Sequence, residues 1–172
     1  MKFDGISLHG KERDILFNEI LNAELYDFTL HIFLKNLYIN KLGGYRDIQR
    51  MCNTLARHNG FIVLKDITFL QHNDNDRLTI NVSQSVKIED CMYLKNLTIN
   101  VVRKPLYGVS IVVDNMYDLE SLTIKDKNKA IRYLEVDKVQ KLKKIDIPND
   151  IREYSGVLGN SINDYIDNNI KK

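Results

Sequence analysis

The sequence predicts a β-rich solenoid of α+β class, a short stack of repeats with helices at its N-terminal end and a C-terminal cap. The main observation is a six-residue phrase, apolar-x-x-apolar-x-apolar, whose copies begin at Leu34, Leu64, Leu94, Leu119 and Leu142. Its starts are separated by 30, 30, 25 and 23 residues, and such recurrence is typical of coils that stack on one another. The second observation is a series of short β-strand signals after Phe61 without the Asn-Gly or Asp-Gly turns of tight hairpins.

The N-terminal third of the chain mixes helical and β patterns. Residues 11–25 repeat apolar side chains every three to four positions, which predicts an amphipathic helix. Residues 27–39 change to the alternation of a β-strand, and residues 45–58 return to the helical pattern. Gly60 then supplies the left-handed turn that commonly ends a helix. We expect residues 1–60 to form a helix-containing cap over the first coil, whose core would otherwise be open.

The remaining chain is predicted to consist of strands of two alternating kinds. The predicted strands are 61–69, 78–82, 86–89, 97–102, 109–113, 122–125, 132–136 and 145–147. From residue 78 onward, a strand that carries the Leu-x-Ile part of the phrase alternates with a strand that ends in Asp. This order predicts two strands per coil. The register of residues 64–82 stays open, because Ile67-Thr68-Phe69 and Leu78-Thr79-Ile80 both resemble the first kind.

Period-two alternation assigns the side chains of each coil to the core or to the surface. Leu and Ile of the phrase are expected to point inward and to form apolar columns. The expected core residues are Leu94, Leu97, Ile99, Leu119, Leu122 and Ile124. Thr68, Thr98 and Thr123 are expected to lie at equivalent outward places and to form a ladder along the sheet.

Bulk composition fits one domain. The chain has 172 residues, of which 44% are apolar, and we expect a single domain over 1–172, with a repeat region at 61–151 and a C-terminal cap at 152–172. A net charge of +2 is too small to require an anionic partner. The sequence has no secretory signal and no run approaching the roughly 20 apolar residues of a membrane span. We therefore expect a cytoplasmic protein, in the producing or host cell, without a membrane partner.

The repeats resemble a known family over about residues 78–151. The segments Cys91-Met92-Tyr93-Leu94-Lys95-Asn96-Leu97-Thr98-Ile99 and Leu142-Lys143-Lys144-Ile145-Asp146-Ile147-Pro148 are similar to BspA-like leucine-rich repeats. Those repeats read Cys, two residues, Leu-Lys-x-Leu-x-Ile-Pro and a polar turn. Only Cys91 holds the Cys place and only Pro148 the Pro place. The resemblance implies a right-handed solenoid used for adhesion and protein recognition.

Catalytic and metal-binding motifs do not emerge from the sequence. It contains no Gly-rich phosphate loop, nucleophile elbow or HExxH motif. The histidines at 9, 31, 58 and 72 have no metal-ligand spacing, and Cys52 and Cys91 form no CxxC pair. The polar segment 71–76 lacks the Gly and Glu of a calcium loop. We expect no enzyme activity, no metal and no cofactor.

Three recurring aspartates, Asp90, Asp114 and Asp137, follow the strands of the second kind. An acidic row could bind cations. The favoured interpretation is structural, because Asp at a turn accepts backbone N–H groups and the same turn would recur in each coil.

The function predicted from these observations is recognition of a protein partner through the outward face of the sheet. The candidate binding residues are Tyr38, Thr68, Thr98, Asn100, Thr123, Lys125 and Asp146. Small size and the lack of catalytic motifs also suggest a phage or viral factor that inhibits a host protein.

Two alternatives remain open at this point. Residues 125–144 are strongly basic and could bind nucleic acid. The candidate residues for this role are Lys138, Lys141, Lys143 and Lys144. The other alternative is a structural subunit of a larger assembly, such as a virion, held through an open end of the solenoid.

Overall fold

The structure is a computed structural model that describes residues 2–6, 29–33, 37–38, 49, 52–53, 56–57, 61–65, 69–70 and 77–156. Thirteen strands lie within these residues. They are β1 (Lys2–Ile6), β2 (Thr29–Phe33), β3 (Leu37–Tyr38), β4 (Phe61–Lys65), β5 (Phe69–Leu70), β6 (Arg77–Val82), β7 (Val86–Glu89), β8 (Asn96–Val101), β9 (Val109–Asp114), β10 (Ser121–Asp126), β11 (Ile131–Asp137), β12 (Lys144–Asp146) and β13 (Glu153–Gly156).

All paired strands among these residues run parallel. A seven-stranded sheet has the order β1-β2-β4-β7-β9-β11-β13, and a four-stranded sheet has the order β12-β10-β8-β6. A two-stranded sheet joins β3 and β5. From residue 77 to residue 156 the chain alternates between the two large sheets and completes about four coils. The predicted solenoid, with two strands per coil, is confirmed.

The core lies between the two large sheets and consists of columns of like side chains. Leu97 of β8 pairs in register with Leu78 of β6 and Leu122 of β10, and all three are fully buried. Their outward neighbours are only half-buried or exposed, as the alternation of each strand requires. Each buried Leu contributes roughly 1.5–3 kcal/mol, and the column continues only if the next coil is present. The predicted core residues are all buried.

Three strand predictions need correction. Residues 27–39, predicted as one β segment, contain two strands, β2 and β3, which belong to different sheets. The predicted strand 61–69 is two strands, β4 and β5, which belong to different sheets. The predicted C-terminal cap contains an additional strand, β13, which pairs with β11. The short C-terminal helix that the sequence suggests around 161–170 lies outside the described residues.

The open register of residues 64–82 is resolved by strand pairing. Thr79 of β6 pairs with Thr98 of β8, whereas β5 pairs with β3. Leu64 belongs to β4 in the seven-stranded sheet. The second copy of the six-residue phrase therefore starts in one sheet and ends in another, so it is not equivalent to the last three copies.

The predicted N-terminal helices are largely outside the described residues, and the helix over 11–25 is entirely so. Of the helix predicted over 45–58, only residues 49, 52–53 and 56–57 are described, each in helical conformation. The helix as a whole stays a prediction. Cys52 and Ala56 are buried. Asn53 Oδ1 accepts a hydrogen bond from Asn81 N at 3.3 Å. Because β6 is the edge of the four-stranded sheet, this bond satisfies a backbone donor that the sheet leaves open.

Candidate functional site

The predicted binding row is only partly assembled. Thr98, Thr123 and Asp146 lie side by side on the four-stranded sheet, and Asn100 pairs with Lys125 in the next outward row. The ladder place predicted for Thr68 is taken by Thr79, and Asn81 extends the second row. Tyr38 lies in β3, in the two-stranded sheet, and Thr68 lies outside the described residues.

This outward face of the four-stranded sheet, which we call the Thr/Asn face, is polar and rigid. Asn100 Nδ2 donates to Asn81 Oδ1 at 3.1 Å, so part of its hydrogen-bonding capacity is already used within the ladder. Its Thr and Asn side chains are half-buried, whereas Lys125 and Asp146 are exposed. The face offers hydrogen bonds to a partner but little apolar area.

Among the described residues, the most exposed apolar side chains lie on the connection from β8 to β9, residues 102–108. Leu106 is 89% exposed and Tyr107 is 79% exposed. They are the central residues of a β-turn that Gly108 N closes by donating to Pro105 O at 3.1 Å. Central turn positions usually carry polar residues or Gly, so apolar side chains here are unexpected. We call Leu106 and Tyr107 the apolar tip.

The backbone of the apolar tip is held in place by its neighbours. Arg132 Nη1 donates to Tyr107 O at 3.0 Å. Gly108 has a φ of +76°, and a Cβ at this position would lie 3.0 Å from Ala130 O. Only glycine therefore fits this left-handed conformation and close approach without strain. The apolar tip is a fixed projection of the solenoid.

A basic pocket of about 190 Å³ lies beside the apolar tip. Its cationic lining residues are Lys104, Lys129, Arg132 and Arg152. Leu106, Tyr107 and Gly108 also line it, and none of its lining residues is acidic. The four cations come from three successive coils, so stacking of the coils creates this concentration of charge.

The turn that carries Lys129 is fixed by Asp126 at the end of β10. Asp126 Oδ2 accepts hydrogen bonds from Ala130 N at 2.8 Å and Ile131 N at 2.9 Å, and Oδ1 accepts one from Asn128 N at 3.2 Å. Lys129 itself has a φ of 51°. The side chain of Asp126 thus accepts hydrogen bonds from backbone N–H groups that the turn leaves without strand partners.

Sequence reasoning missed the basic pocket, although a signal was present. Lys104, Lys129 and Arg152 are separated by 25 and 23 residues, the same steps that separate Leu94, Leu119 and Leu142. Residues at the repeat distance stack on neighbouring coils. Searching for charges at the repeat distance, instead of in consecutive positions, would have found this group.

The four lysines predicted to bind nucleic acid do not act together as one basic face, because two of them pair with carboxylates. Lys141 Nζ forms an ion pair with Asp118 at 2.7 Å, and Lys143 Nζ lies 3.5 Å from Glu120. The hydrogen bond and charge of Asp118 raise the pKa of Lys141. Burial acts to raise the pKa of Asp118, but the hydrogen bonds from Lys141 and Tyr93 N lower it overall. Lys138 and Lys144 are exposed.

Of the three aspartates expected at equivalent turns, Asp114 and Asp137 are in register with each other, whereas Asp90 is displaced by one residue. Asp114 pairs with Glu89 and with Asp137, so Asp90 corresponds to Asn115 instead. Asp90 Oδ1 accepts a hydrogen bond from Asn115 Nδ2 at 2.7 Å, and both residues have positive φ. The aspartates that accept backbone N–H groups are Asp118 and Asp126.

Side chains with metal or nucleophilic chemistry do not converge in the part of the chain that the structure describes. Within it, no group of three or more His, Cys, Asp or Glu side chains could hold a metal ion. Cys52 and Cys91 are buried thiols, and burial raises the pKa of Cys52 to about 12. The described residues do not include histidines 9, 58 and 72 or the polar segment 71–76. At position 31 only the backbone is described. None of the described helical segments is long and apolar enough to cross a membrane.

Comparisons with protein-family models, with curated proteins and with solved structures give no match to this chain. The class of protein therefore follows from strand pairing alone. It is a β-rich parallel solenoid of about four coils with a repeat sequence.

Proposed function

We propose that this chain is a non-catalytic recognition module that binds a protein partner. The observation that carries the proposal is the apolar tip, in which Leu106 and Tyr107 are 89% and 79% exposed on a turn fixed by Gly108 and Arg132. Aromatic and Arg side chains are enriched at the energetic centres of protein interfaces. A projecting pair of apolar side chains on a rigid backbone loses little conformational entropy when it docks.

The Thr/Asn face extends the proposed contact surface. Val102 follows β8 directly and is 42% exposed, so it continues from Asn100 toward the apolar tip. Thr98, Asn100 and Lys125 supply polar groups on the adjoining strands. This arrangement matches an interface in which apolar anchors are bordered by polar residues.

Two finer assignments accompany this proposal. The Leu-x-x-Leu-x-Ile phrases between residues 78 and 151 support membership of the BspA-like leucine-rich repeats. A cytoplasmic phage or viral factor that inhibits a host protein is the biological role that we propose for such a module.

The test is quantitative binding of a partner obtained by affinity capture from candidate host cells. The double variant Leu106→Ser, Tyr107→Ser should bind the purified partner about tenfold or more weakly, since truncating one interface anchor typically costs more than about 1.4 kcal/mol. Tyr117→Ser is a matched control, because Tyr117 is 50% exposed on a different turn. Equal binding by the double variant and the control would reject the apolar tip as the anchor.

The nucleic-acid alternative has weaker support. Lys141 and Lys143, two of its four lysines, already form ion pairs with carboxylates, which reduces the positive charge available to phosphates. This alternative predicts tight binding of DNA or RNA at low salt and a loss on charge reversal at Lys138 and Lys144. The assembly-subunit alternative predicts a stable oligomer by sedimentation.

A further inference from the structure

We infer that the basic pocket binds an anionic side chain of a peptide segment in the partner, either a carboxylate or a phosphorylated residue. This inference rests on the proposed function, because the pocket adjoins the apolar tip and shares Leu106 and Tyr107 with it. It adds the chemistry of the partner: an acidic or phosphorylated group next to an apolar side chain.

The size of the pocket favours a single small anionic group over a larger ligand. Its volume is about 190 Å³, whereas pockets for drug-sized ligands and cofactors occupy about 300–1,000 Å³. A water molecule takes about 30 Å³ in the liquid. The pocket therefore has room for a carboxylate or phosphate together with a few water molecules, and is small for a nucleotide.

The charges of the pocket are available to a ligand. Within the part of the chain that the structure describes, no carboxylate forms an ion pair with Lys104, Lys129 or Arg152. Arg132 uses Nη1 to bind Tyr107 O, which leaves its other N–H groups for a ligand. Arginine presents these donors in a planar fork that matches carboxylate and phosphate. Four cationic residues that line one pocket repel one another, and an anion would relieve that repulsion.

The shape and the neighbours of the pocket favour a peptide over other anionic partners. A nucleic-acid strand presents phosphates along its length, whereas these four cationic residues line a single small pocket. A peptide can place an acidic group in the pocket and an apolar side chain against Leu106, which is 89% exposed.

The test is fluorescence anisotropy with three labelled peptides of the repeating sequence Glu-Leu, phosphoserine-Leu and Gln-Leu, and with a single-stranded oligonucleotide of equal charge. We expect the Glu or the phosphoserine peptide to bind at least about tenfold more tightly than the Gln peptide, because charge-assisted hydrogen bonds are lost in the latter. Which of the two binds identifies carboxylate or phosphate as the preferred group. Binding should weaken with added salt.

Charge reversal identifies the site. Lys104→Glu with Lys129→Glu should abolish most of the preference for the anionic peptide, and Lys138→Glu with Lys144→Glu is the control with the same change of net charge. Circular dichroism and thermal melting should show that both variants are folded. Equal losses in both variants, tighter binding of the oligonucleotide, or no preference over the Gln peptide would each overturn the inference.

The affinities of the two double variants for the captured partner distinguish failure of this inference from failure of the proposed function. If the Lys104 and Lys129 variant keeps full affinity for the captured partner while the Leu106 and Tyr107 variant loses it, the basic pocket has no part in binding. The recognition function would then stand without the anionic peptide.

Discussion

Replacing Asp126 tests how the turn beside the basic pocket is built. Asp126→Ala removes the acceptor of three backbone N–H groups, those of Asn128, Ala130 and Ile131. Ala130 and Ile131 are only 3% and 4% exposed, so water replaces the lost acceptor poorly. An unsatisfied buried donor costs about 1–3 kcal/mol. We therefore expect Asp126→Ala to lower the free energy of unfolding by about 2–4 kcal/mol.

Asp126→Asn gives an intermediate case. Its single carbonyl oxygen can keep the two bonds that Oδ2 accepts, while its NH2 group opposes Asn128 N–H. The expected loss is about 1 kcal/mol. Urea unfolding at pH 7 measures both values, and Asp146→Ala is the control, because Asp146 is exposed on the edge strand β12.

Hydrogen exchange locates the effect of Asp126→Ala. The amides of Ala130 and Ile131 should exchange faster in this variant than in the wild type, whereas the amides of β6 should be unchanged. A stability loss below about 0.5 kcal/mol, the usual range for surface substitutions, would refute the reasoning, and so would unchanged exchange at these two amides.

Four further outcomes are expected. Leu97→Ala should lower the free energy of unfolding by about 3–5 kcal/mol in urea titrations, because Leu97 is fully buried between two coils. Gly108→Ala should cost about 1–2 kcal/mol in the same assay, since φ is +76° and the added Cβ approaches Ala130 O. The hydrogen bonds from Lys141 and Tyr93 N hold the pKa of Asp118 below the usual aspartate value of 3.8. The stabilisation by the Asp118 carboxylate should therefore be present above that pH and lost as the pH falls further, which urea unfolding of wild type and Asp118→Asn from about pH 5 to about pH 2 measures. Cys52, whose pKa is raised to about 12 by burial, should resist alkylation at pH 8 in the folded protein and react on unfolding, as mass spectrometry would show.

Controls make these outcomes decisive. Thr98→Ala, next to Leu97 but directed outward, should cost less than about 1 kcal/mol. Equal losses for Leu97→Ala and Thr98→Ala would contradict the assignment of inward and outward faces. A difference between wild type and Asp118→Asn that does not shrink as the pH falls would contradict the ion pair with Lys141. Rapid alkylation of Cys52 in the folded protein would contradict its burial.

Most strands from residue 78 onward could be predicted from sequence because apolar residues recur at every second position, most regularly in β6, β8 and β10. Strand β13 lacks this pattern and was not predicted. Leu78, Leu97 and Leu122 recur in the same local pattern, and the strands they belong to stack in register. The predicted register was right for Asp114 and Asp137 but wrong for Asp90, because the alignment followed the residue type Asp. Alignment on the buried residues Ile88 and Val113, which do pair, gives the correct register, since a shift of one residue exchanges the faces of a strand.

The candidate site was less predictable for a geometric reason. Consecutive residues in a solenoid travel around one coil, so the basic run 125–144 is distributed over several sides of the stack. Lys141 and Lys143 also meet acidic residues of the preceding coil, which no local window reveals. The apolar tip was overlooked because Pro105 and Gly108 mark an ordinary turn, and the exposure of the two residues between them depends on the surrounding coils.

The connections between the two large sheets differ in length from coil to coil. Three residues, 83–85, join β6 to β7, four residues, 127–130, join β10 to β11, and six residues, 147–152, join β12 to β13, whereas seven residues, 102–108, join β8 to β9. The connection that carries the apolar tip is the longest of these four, and the coils on both sides of it are completed with fewer connecting residues. Under the proposed function, recognition would be carried by a segment that can lengthen, shorten or change sequence while the stack below it is preserved. The scaffold and its specificity can therefore diverge independently, so a protein with the same coils and a different connection at this place would be suited to a different target.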